Sequence, residues 1–500
     1  MALAPCAMVA FRGTAIDERI AVLVSDPRVA GVTLYRSFNV ETAAQTRQLI
    51  DDLVASAGRP LLIGVDQETG QLVGAGRETT HFAGNMALGA AGDADLTRKV
   101  GEAIGTELRA LGINVDYAPV ADVASLPGNP SLGIRAFGEN PEMVATMTAA
   151  MVDGLQGAGV AATLKHFPGK GEAAVDPHYE LPVLDLDRER LEAVEWRPFR
   201  AGVAAGARLL MVGHYGLPAI TGDRTTPSSV TPLVLNDLIR HDLGFEGLVI
   251  TDALDMGGFK GFASDLPLEA GADLLLYGPA QAGALPTRTV PDAARLATLL
   301  GWLESSPQPE LTVVGSTAHR ELASELGRRA LTLVRDDAGL LPLRLDAGQR
   351  ILVVMPQPTD LTPADTSSFV EPGLAAVIRA HHPATTEIVT DPTPTDREIA
   401  AIVAAAADHQ LVIVGTIDAG AEQANLVTAL LATGRPIIAV ALRTPYDLAR
   451  YPTAPTYLCT YGIHPPSLQA LGDGLFGLTS IEGRLPVSIP DLYPIGHGTG

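Results

Sequence analysis

Eight short apolar runs punctuate the first part of the chain: CAMVAF (6–11), VAGVTLY (29–35), PLLIGVD (60–66), INVDYAPV (113–120), VAATLKHF (160–167), RLLMVGHY (208–215), GLVITDAL (247–254) and ADLLLYG (272–278). Their apolarity is continuous rather than alternating, which predicts strands covered on both faces, as in a parallel sheet. Helical patterns separate them, among them AAQTRQLIDDLVASA, LTRKVGEAIGTELRALG and PEMVATMTAAMVDGLQGAG, each stopped by glycine. Eight strands alternating with helices over about 300 residues predict a (β/α)8 TIM-type barrel.

The stretch SSPQPEL (305–311) has linker composition, and a helical pattern from about Thr317 to Leu333 follows it. Alternation then resumes with ILVVMP (351–356), TTEIVT (385–390), LVIVGT (411–416), PIIAVAL (436–442) and TYLCTYG (456–462), separated by helical patterns. This predicts a smaller doubly wound α/β/α sandwich. The expected division is a catalytic barrel over 1–304, a linker and connecting helix over 305–335, and the sandwich over 336–500. The second part carries no GxGxxG fingerprint and no P-loop, so no nucleotide is expected there.

Composition narrows the partners. Lys and Arg total 35 against 57 Asp and Glu, a net charge of −22, which argues against nucleic acid or an anionic membrane surface. No apolar run reaches the roughly 18 residues a membrane span needs. The two cysteines, Cys6 and Cys459, form no disulfide framework, and the apolar N-terminus has no basic region ahead of Arg12. The expectation is a cytoplasmic protein with neither membrane nor nucleic-acid partners.

Barrel enzymes place their chemistry at the C-terminal ends of strands. Here the third run ends in Asp66, the fourth leads to Asp116 and Asp122, the fifth ends in Lys165-His166, the sixth in His214 and the seventh in Asp252. Lys165 and His166 suit a cation and an imidazole holding ligand hydroxyls, and an ion pair in the barrel mouth is an equal reading of Lys165. His214 reads either as a pocket residue or as a hydrogen-bonded barrel histidine. The loop after the fifth run carries Asp176-Pro177-His178, where a carboxylate two residues from an imidazole can hold its ring and set its tautomer for general acid and base work. Asp252 ends an apolar strand, where a carboxylate must be paired or used. A carboxylate nucleophile with an acid/base across the ring gives two-step retaining glycosyl transfer. Asp255 competes for that role but falls into the following loop. Trp196 and Trp302 read as helix-packing residues. No histidines stand at metal-ligand spacing, so neither metal nor organic cofactor is expected.

GINVDYAPVADV (112–123), NPSLGIRAFGENPEMV (129–144), KHFPGKG (165–171), DPH (176–178) and ITDALDM (250–256) resemble, in order and spacing, glycoside hydrolase family 3 and its NagZ-like β-N-acetylglucosaminidase branch. The ending GRLPVSIPDLYPIGHG (483–498) resembles two-domain members. The resemblance implies an exo-acting retaining hydrolase with Asp252 as nucleophile, His178 as acid/base and Asp176 as its dyad partner. It implies that Asp66, Arg135, Lys165 and His166 bind a terminal N-acetylglucosamine, the substrate being a small saccharide of cell-wall or chitin origin. The family commonly reads KHFPGHG and D-S-H, where this chain has Lys170 and Pro177. It commonly reads DQEGGRVxR, where this chain has Gln71 and Gly74 in place of both arginines. Those departures bear on the loop and on the leaving group. Three other readings stay open: phosphorolysis by the same residues, a non-catalytic sugar-binding protein, and a Schiff-base aldolase using Lys165.

Overall fold

The computed structural model describes residues 5–288 and 293–499. The first four residues of the N-terminal apolar segment and the last residue of the expected sandwich lie outside the described residues. Eight strands build the first sheet: β1 (Ala7–Val9), β2 (Val29–Thr33), β3 (Leu62–Val65), β4 (Val115–Asp116), β5 (Ala161–Phe167), β6 (Leu209–Val212), β7 (Leu248–Thr251) and β8 (Leu275–Leu276). They run parallel in chain order, β8 pairs with β1, and an Ile250–Leu274 bridge joins the β7 and β8 segments. The sheet is the expected (β/α)8 barrel.

The continuous apolar runs are explained by burial on both faces. Met8, Leu62, Met211, Leu248 and Ile250 belong to one cluster, while Val9, Val32, Ile63, Leu164 and Val212 belong to another that includes Ile104, Leu108 and Phe199 of the surrounding helices. The aromatic ring of Tyr117 lies so close to β3 that a Cβ on Gly64 would stand 2.4 Å from its hydroxyl, so only glycine fits there. That hydroxyl bonds Thr33 Oγ1 at 2.8 Å. Trp196 is buried and stacks on Phe167, in keeping with the packing role read from the sequence.

The second sheet has six strands: β9 (Thr332–Asp336), β10 (Ile351–Pro356), β11 (Thr385–Thr390), β12 (Leu411–Thr416), β13 (Ile437–Ala441) and β14 (Thr456–Cys459), in the order β9-β14-β13-β12-β10-β11. Five are parallel and β9 is an antiparallel edge. The helix expected to reach Leu333 stops at Ala330, and the next residues turn into β9. Its TLVRD sequence buries only Thr332 and Val334 fully, a half-exposed edge pattern that a search for continuous apolar runs passes over.

The two parts share an extensive seam. Glu139 of the barrel accepts hydrogen bonds from Ser488 N and Oγ, both at 2.8 Å, Gly84 N donates to Tyr461 O, and Arg329 pairs with Asp93 at 2.6 Å. Among the described residues no helix is long and apolar enough to cross a membrane.

Candidate active site

Asp66 follows β3, Lys165 and His166 lie within β5, and Asp252 follows β7, so the barrel brings them to one rim around a cavity of about 520 Å³. Arg135, from the loop before helix Pro141–Gly157, and His178, from the loop after β5, line the same cavity. His214 does not. It is fully buried, with Ser229 Oγ at 2.7 Å from Nδ1 and Ala253 O at 3.2 Å from Nε2, which is the barrel-histidine reading.

The floor is a buried charge network. Lys165 Nζ bonds Asp66 Oδ1 at 2.6 Å and also pairs with Glu68 Oε1. Glu68 takes a two-pronged bond from Arg135, Nε to Oε2 at 2.6 Å and Nη2 to Oε1 at 2.7 Å. Burial by itself would raise the Glu68 carboxyl; the guanidinium and ammonium outweigh it and hold the group down at about 2. Burial would lower Lys165, but Asp66 and Glu68 raise it instead. Lys165 is therefore a fixed cation. An amine held protonated cannot attack a carbonyl, so the aldolase reading loses its nucleophile.

Next to this network stands His166. Its Nδ1 lies 2.8 Å from Asp122 Oδ2, and its Nε2 lies 3.4 Å from Arg135 Nη2. Burial, with the positive charges of Lys170 and Arg135, pushes the imidazole well below its ordinary range, so it is neutral. With Nδ1–H donated to Asp122, Nε2 is left as an acceptor toward Arg135. Asp122 also accepts from the backbone N–H groups of His166 and Lys170, which ties the KHFPGKG turn to the loop after β4. Asp116, at the end of β4, is fully buried and accepts from Gln67 N at 3.0 Å.

On the opposite side the DPH loop forms a compact unit. His178 Nδ1 meets Asp176 Oδ1 at 2.6 Å, and the His178 N–H donates to the same oxygen at 3.0 Å. Burial raises the Asp176 carboxyl, but the bonds and charge from His178 outweigh that and hold it below the usual range. The loop is seated: Gly257 N donates to His178 O and Gly258 N to Pro177 O, each at 2.9 Å. A Cβ at Gly257 would lie 2.1 Å from Tyr179 O, so this approach requires glycine. The stretch after β7 is therefore where the DPH loop docks. Asp252 is half-buried, its Oδ1 accepts only from Ala253 N, and among the described residues no cation lies within ion-pair reach of it. Asp255 is committed elsewhere, taking the Ala280 N–H at 2.9 Å.

Sequence reasoning missed four contributions. Glu68 lies in DQETGQLVG (66–74), within a buried hairpin of strands Gln67–Thr69 and Leu72–Val73, and its signal was a carboxylate in that hairpin. Arg36, after β2, lines the cavity with Nη1 3.5 Å from Val73 O, so a guanidinium returns to the edge where Gly74 stands. At Gly74 a Cβ would be 2.5 Å from Asp66 O. Lys170 lines the cavity with 1% exposure. Finally, the second domain supplies a wall through Asp360, Asp365, Thr366 and Phe369. Thr366 clamps that wall to the hairpin, its N–H and Oγ1 donating to Gln71 O and its Oγ1 accepting from Val73 N. Phe369 lies under the Arg36 guanidinium at 4.3 Å. Among the described residues no group of three or more His, Cys, Asp or Glu is placed to hold a metal ion.

A model of the glycosyl hydrolase family 3 N-terminal domain matches residues 5–295. The chain belongs to glycosyl hydrolase family 3. This family 3 glycoside hydrolase is 30% identical to "Beta-hexosaminidase A" of Pseudoalteromonas piscicida, over 95% of this chain and 92% of the relative. It is 31% identical to "Beta-N-acetylglucosaminidase/beta-glucosidase" of Cellulomonas fimi, over 95% of this chain and 91% of that one. Among solved structures, a family 3 β-N-acetylglucosaminidase from Paenibacillus sp. str. FPU-7 superposes with a TM-score of 0.89 at 31% identity, covering 97% of both chains. The barrel and the sandwich are both part of that superposition.

Proposed function

We propose that this family 3 enzyme is an exo-acting, retaining β-N-acetylglucosaminidase that releases terminal N-acetylglucosamine from small saccharides. Asp252 attacks the anomeric carbon and forms a glycosyl ester while His178 gives its Nε2 proton to the leaving oxygen. The same imidazole then takes a proton from the water that opens the ester. Asp176 fixes the imidazole through Nδ1, so Nε2 is the atom turned to the reaction, and it stabilises the cationic ring. Asp66, Arg135, Lys165 and His166 bind the sugar as charged or neutral hydrogen-bonding groups that need no reorganisation. Residues 1–304 form the catalytic part and 336–500 the sandwich that lends a wall. The names of the two relatives and of the solved neighbour support the hexosaminide substrate.

The observation that carries this reading is the Asp176–His178 dyad facing the same cavity as an otherwise uncommitted Asp252. The second domain also places two carboxylates at the cavity, but both are spent on partners within that domain. Asp365 accepts from Leu361 N, Ser367 N and Arg443, and Asp360 accepts from Ser368 N and Oγ. The test is intact-mass and peptide analysis of enzyme quenched during turnover of an activated aryl β-N-acetylglucosaminide. The peptide containing Asp252 is expected to gain one N-acetylhexosaminyl residue. An adduct elsewhere, or a loss of activity in Asp360→Asn with none in His178→Ala, contradicts the assignment.

Phosphorolysis is a second reading favoured by the same dyad. A carboxylate acid/base repels an incoming phosphate through its charge, whereas an imidazole does not.

A further inference from the structure

Two guanidinium groups line the catalytic cavity with no carboxylate on them. Arg36, just after β2, is only 8% exposed and faces the cavity. Its side chain makes one long hydrogen bond, Nη1 to Val73 O at 3.5 Å, and lies over the Phe369 ring at 4.3 Å. Among the described residues it has no ion-pair partner, and neither Nε nor Nη2 is sealed inside protein. Arg12, just after β1, also lines the cavity, stacked over Phe38 at 3.9 Å and likewise without an ion pair among the described residues. A ring on one face of a guanidinium leaves its N–H edges for a ligand. Arg135 and Lys165, by contrast, share Glu68 and Asp66. A mostly buried cation without a carboxylate is costly unless the ligand supplies the opposite charge.

The barrel says which part of a bound sugar these groups meet. β3 and β7 are four strands apart in a closed ring of eight, so Asp66 and Asp252 stand on opposite sides of the mouth. A sugar whose anomeric carbon is at Asp252 turns its C4–C6 end toward β3 and the neighbouring β2, where Arg36 rests on the hairpin after β3. The wall is cut back there, because a Cβ on Gly74 would stand 2.5 Å from Asp66 O. The carboxylates lining that side are already engaged: Asp66 by Lys165, Asp360 by Ser368 and Asp365 by Arg443. Burial and the nearby Arg77 bring Arg36 down to about 10, with Asp360 opposing them, so it is a cation at neutral pH. This end of the cavity therefore offers positive charge to a ligand.

We propose that Arg36, flanked by Arg12, recognises an oxyanionic ester on O6 of the terminal sugar, a sulfate or phosphate monoester, so that the preferred substrate is a 6-O-charged N-acetylglucosaminide. O6 is singled out by reach: its exocyclic carbon carries it outside the ring, beyond the hydroxyls that Asp66, Lys165 and His166 hold. The planar guanidinium presents two parallel N–H groups to two oxygens of the ester. The inference rests on the proposed function for the identity of the sugar and its orientation. It adds no chemical step, because Asp252 and His178 act as before at the opposite end of the ring. Arg36 is a substrate-binding residue that sets which terminal sugar is preferred.

The test measures kcat and KM for three aryl β-N-acetylglucosaminides with one leaving group: unsubstituted, 6-O-sulfated and 6-O-phosphorylated. In the wild type, kcat/KM for at least one charged ester is expected to exceed that of the neutral substrate by about tenfold, carried mainly by KM, as a charge-assisted pair supplies. High salt should shrink the preference. The sulfate and phosphate arms tell which ester the site takes. Arg36→Met brings the ratio to one or below, Arg36→Lys keeps part of it, and Arg12→Met lowers it less than Arg36→Met does. Ratios are read within each variant, so a loss common to all three substrates cancels. Charged esters cleaved no better than the neutral substrate by the wild type overturn the proposal, even if every variant fails to fold. An unchanged ratio in a folded Arg36→Met overturns it too. If none of the three is hydrolysed while an aryl β-glucoside is, the proposed function itself fails. Efficient hydrolysis of the neutral substrate with both esters rejected sinks the Arg36 inference alone.

Discussion

Glu68 in the barrel mouth and Asp447 in the sandwich are equally buried carboxylates with opposite behaviour. Glu68 is held at about 2, because Arg135 and Lys165 outweigh its burial. Asp447 is pushed up to about 7, because burial and the neighbouring Asp418 act together, against the hydrogen bonds it accepts from Thr416 Oγ1 and Ala419 N. Burial alone therefore does not distinguish a working site from a structural polar cluster. What distinguishes them is the supply of cations: the barrel mouth gathers Arg135, Lys165 and Lys170 around one cavity, while Asp447 has no ion-pair partner among the described residues. The barrel mouth keeps charge where a reaction uses it, and the sandwich carries a carboxylate that is better off neutral.

The comparison is broken most sharply by Asp252→Asn, which removes the proposed nucleophile. kcat for an aryl β-N-acetylglucosaminide is expected to fall by about 10⁴-fold or more, with the fold intact by circular dichroism. His178→Ala comes next, with a loss of about 10² to 10⁴ in kcat. That loss should shrink for the most activated leaving groups, which need no proton, and a uniform loss across leaving groups would point to a structural role instead. Glu68→Gln leaves the buried Arg135 without a carboxylate and Lys165 with Asp66 alone, and a destabilisation of about 3–5 kcal/mol in chemical denaturation is expected. The corresponding change in the sandwich, Asp447→Asn, goes the other way. It removes a charge the fold resists, so the variant should melt at or above the wild-type temperature at neutral pH and above.

The smallest effect is the pH dependence of stability, and its sign differs between the two groups. The Glu68 contribution is full above the ordinary carboxylate pKa and is lost as pH falls from there toward about 2. The Asp447 group is raised, so stability falls as pH climbs from the ordinary value toward about 7 and is constant beyond. Melting curves of Glu68→Gln and Asp447→Asn against wild type should therefore diverge in opposite pH windows. Parallel curves would erase the contrast.

The barrel and its rim were legible because both rest on local regularities. Buried parallel strands read as unbroken apolar runs, and a polar residue closing such a run stands out, which is how Asp66, Lys165, His166 and Asp252 could be placed on one face. Asp176 and His178 were legible as a pair because two residues of spacing suffices for the side chain and backbone of one to reach the other. What stayed hidden depends on contacts distant in sequence. Nothing local marks Thr366 as the clamp on Gln71 and Val73, or Asp365 as the partner of Arg443. Lys170 was visible only as a departure from a pattern, since its burial is a property of the folded cavity. β9 was overlooked because an edge strand needs only one buried face.

The most direct test of the account is the ratio of kcat/KM for paired aryl β-N-acetylglucosaminide and aryl β-glucoside substrates with the same leaving group. The account predicts a clear preference for the N-acetylglucosaminide in the wild type, depressed for both substrates in His178→Ala. A preference for the glucoside, or an undiminished His178→Ala, would contradict it.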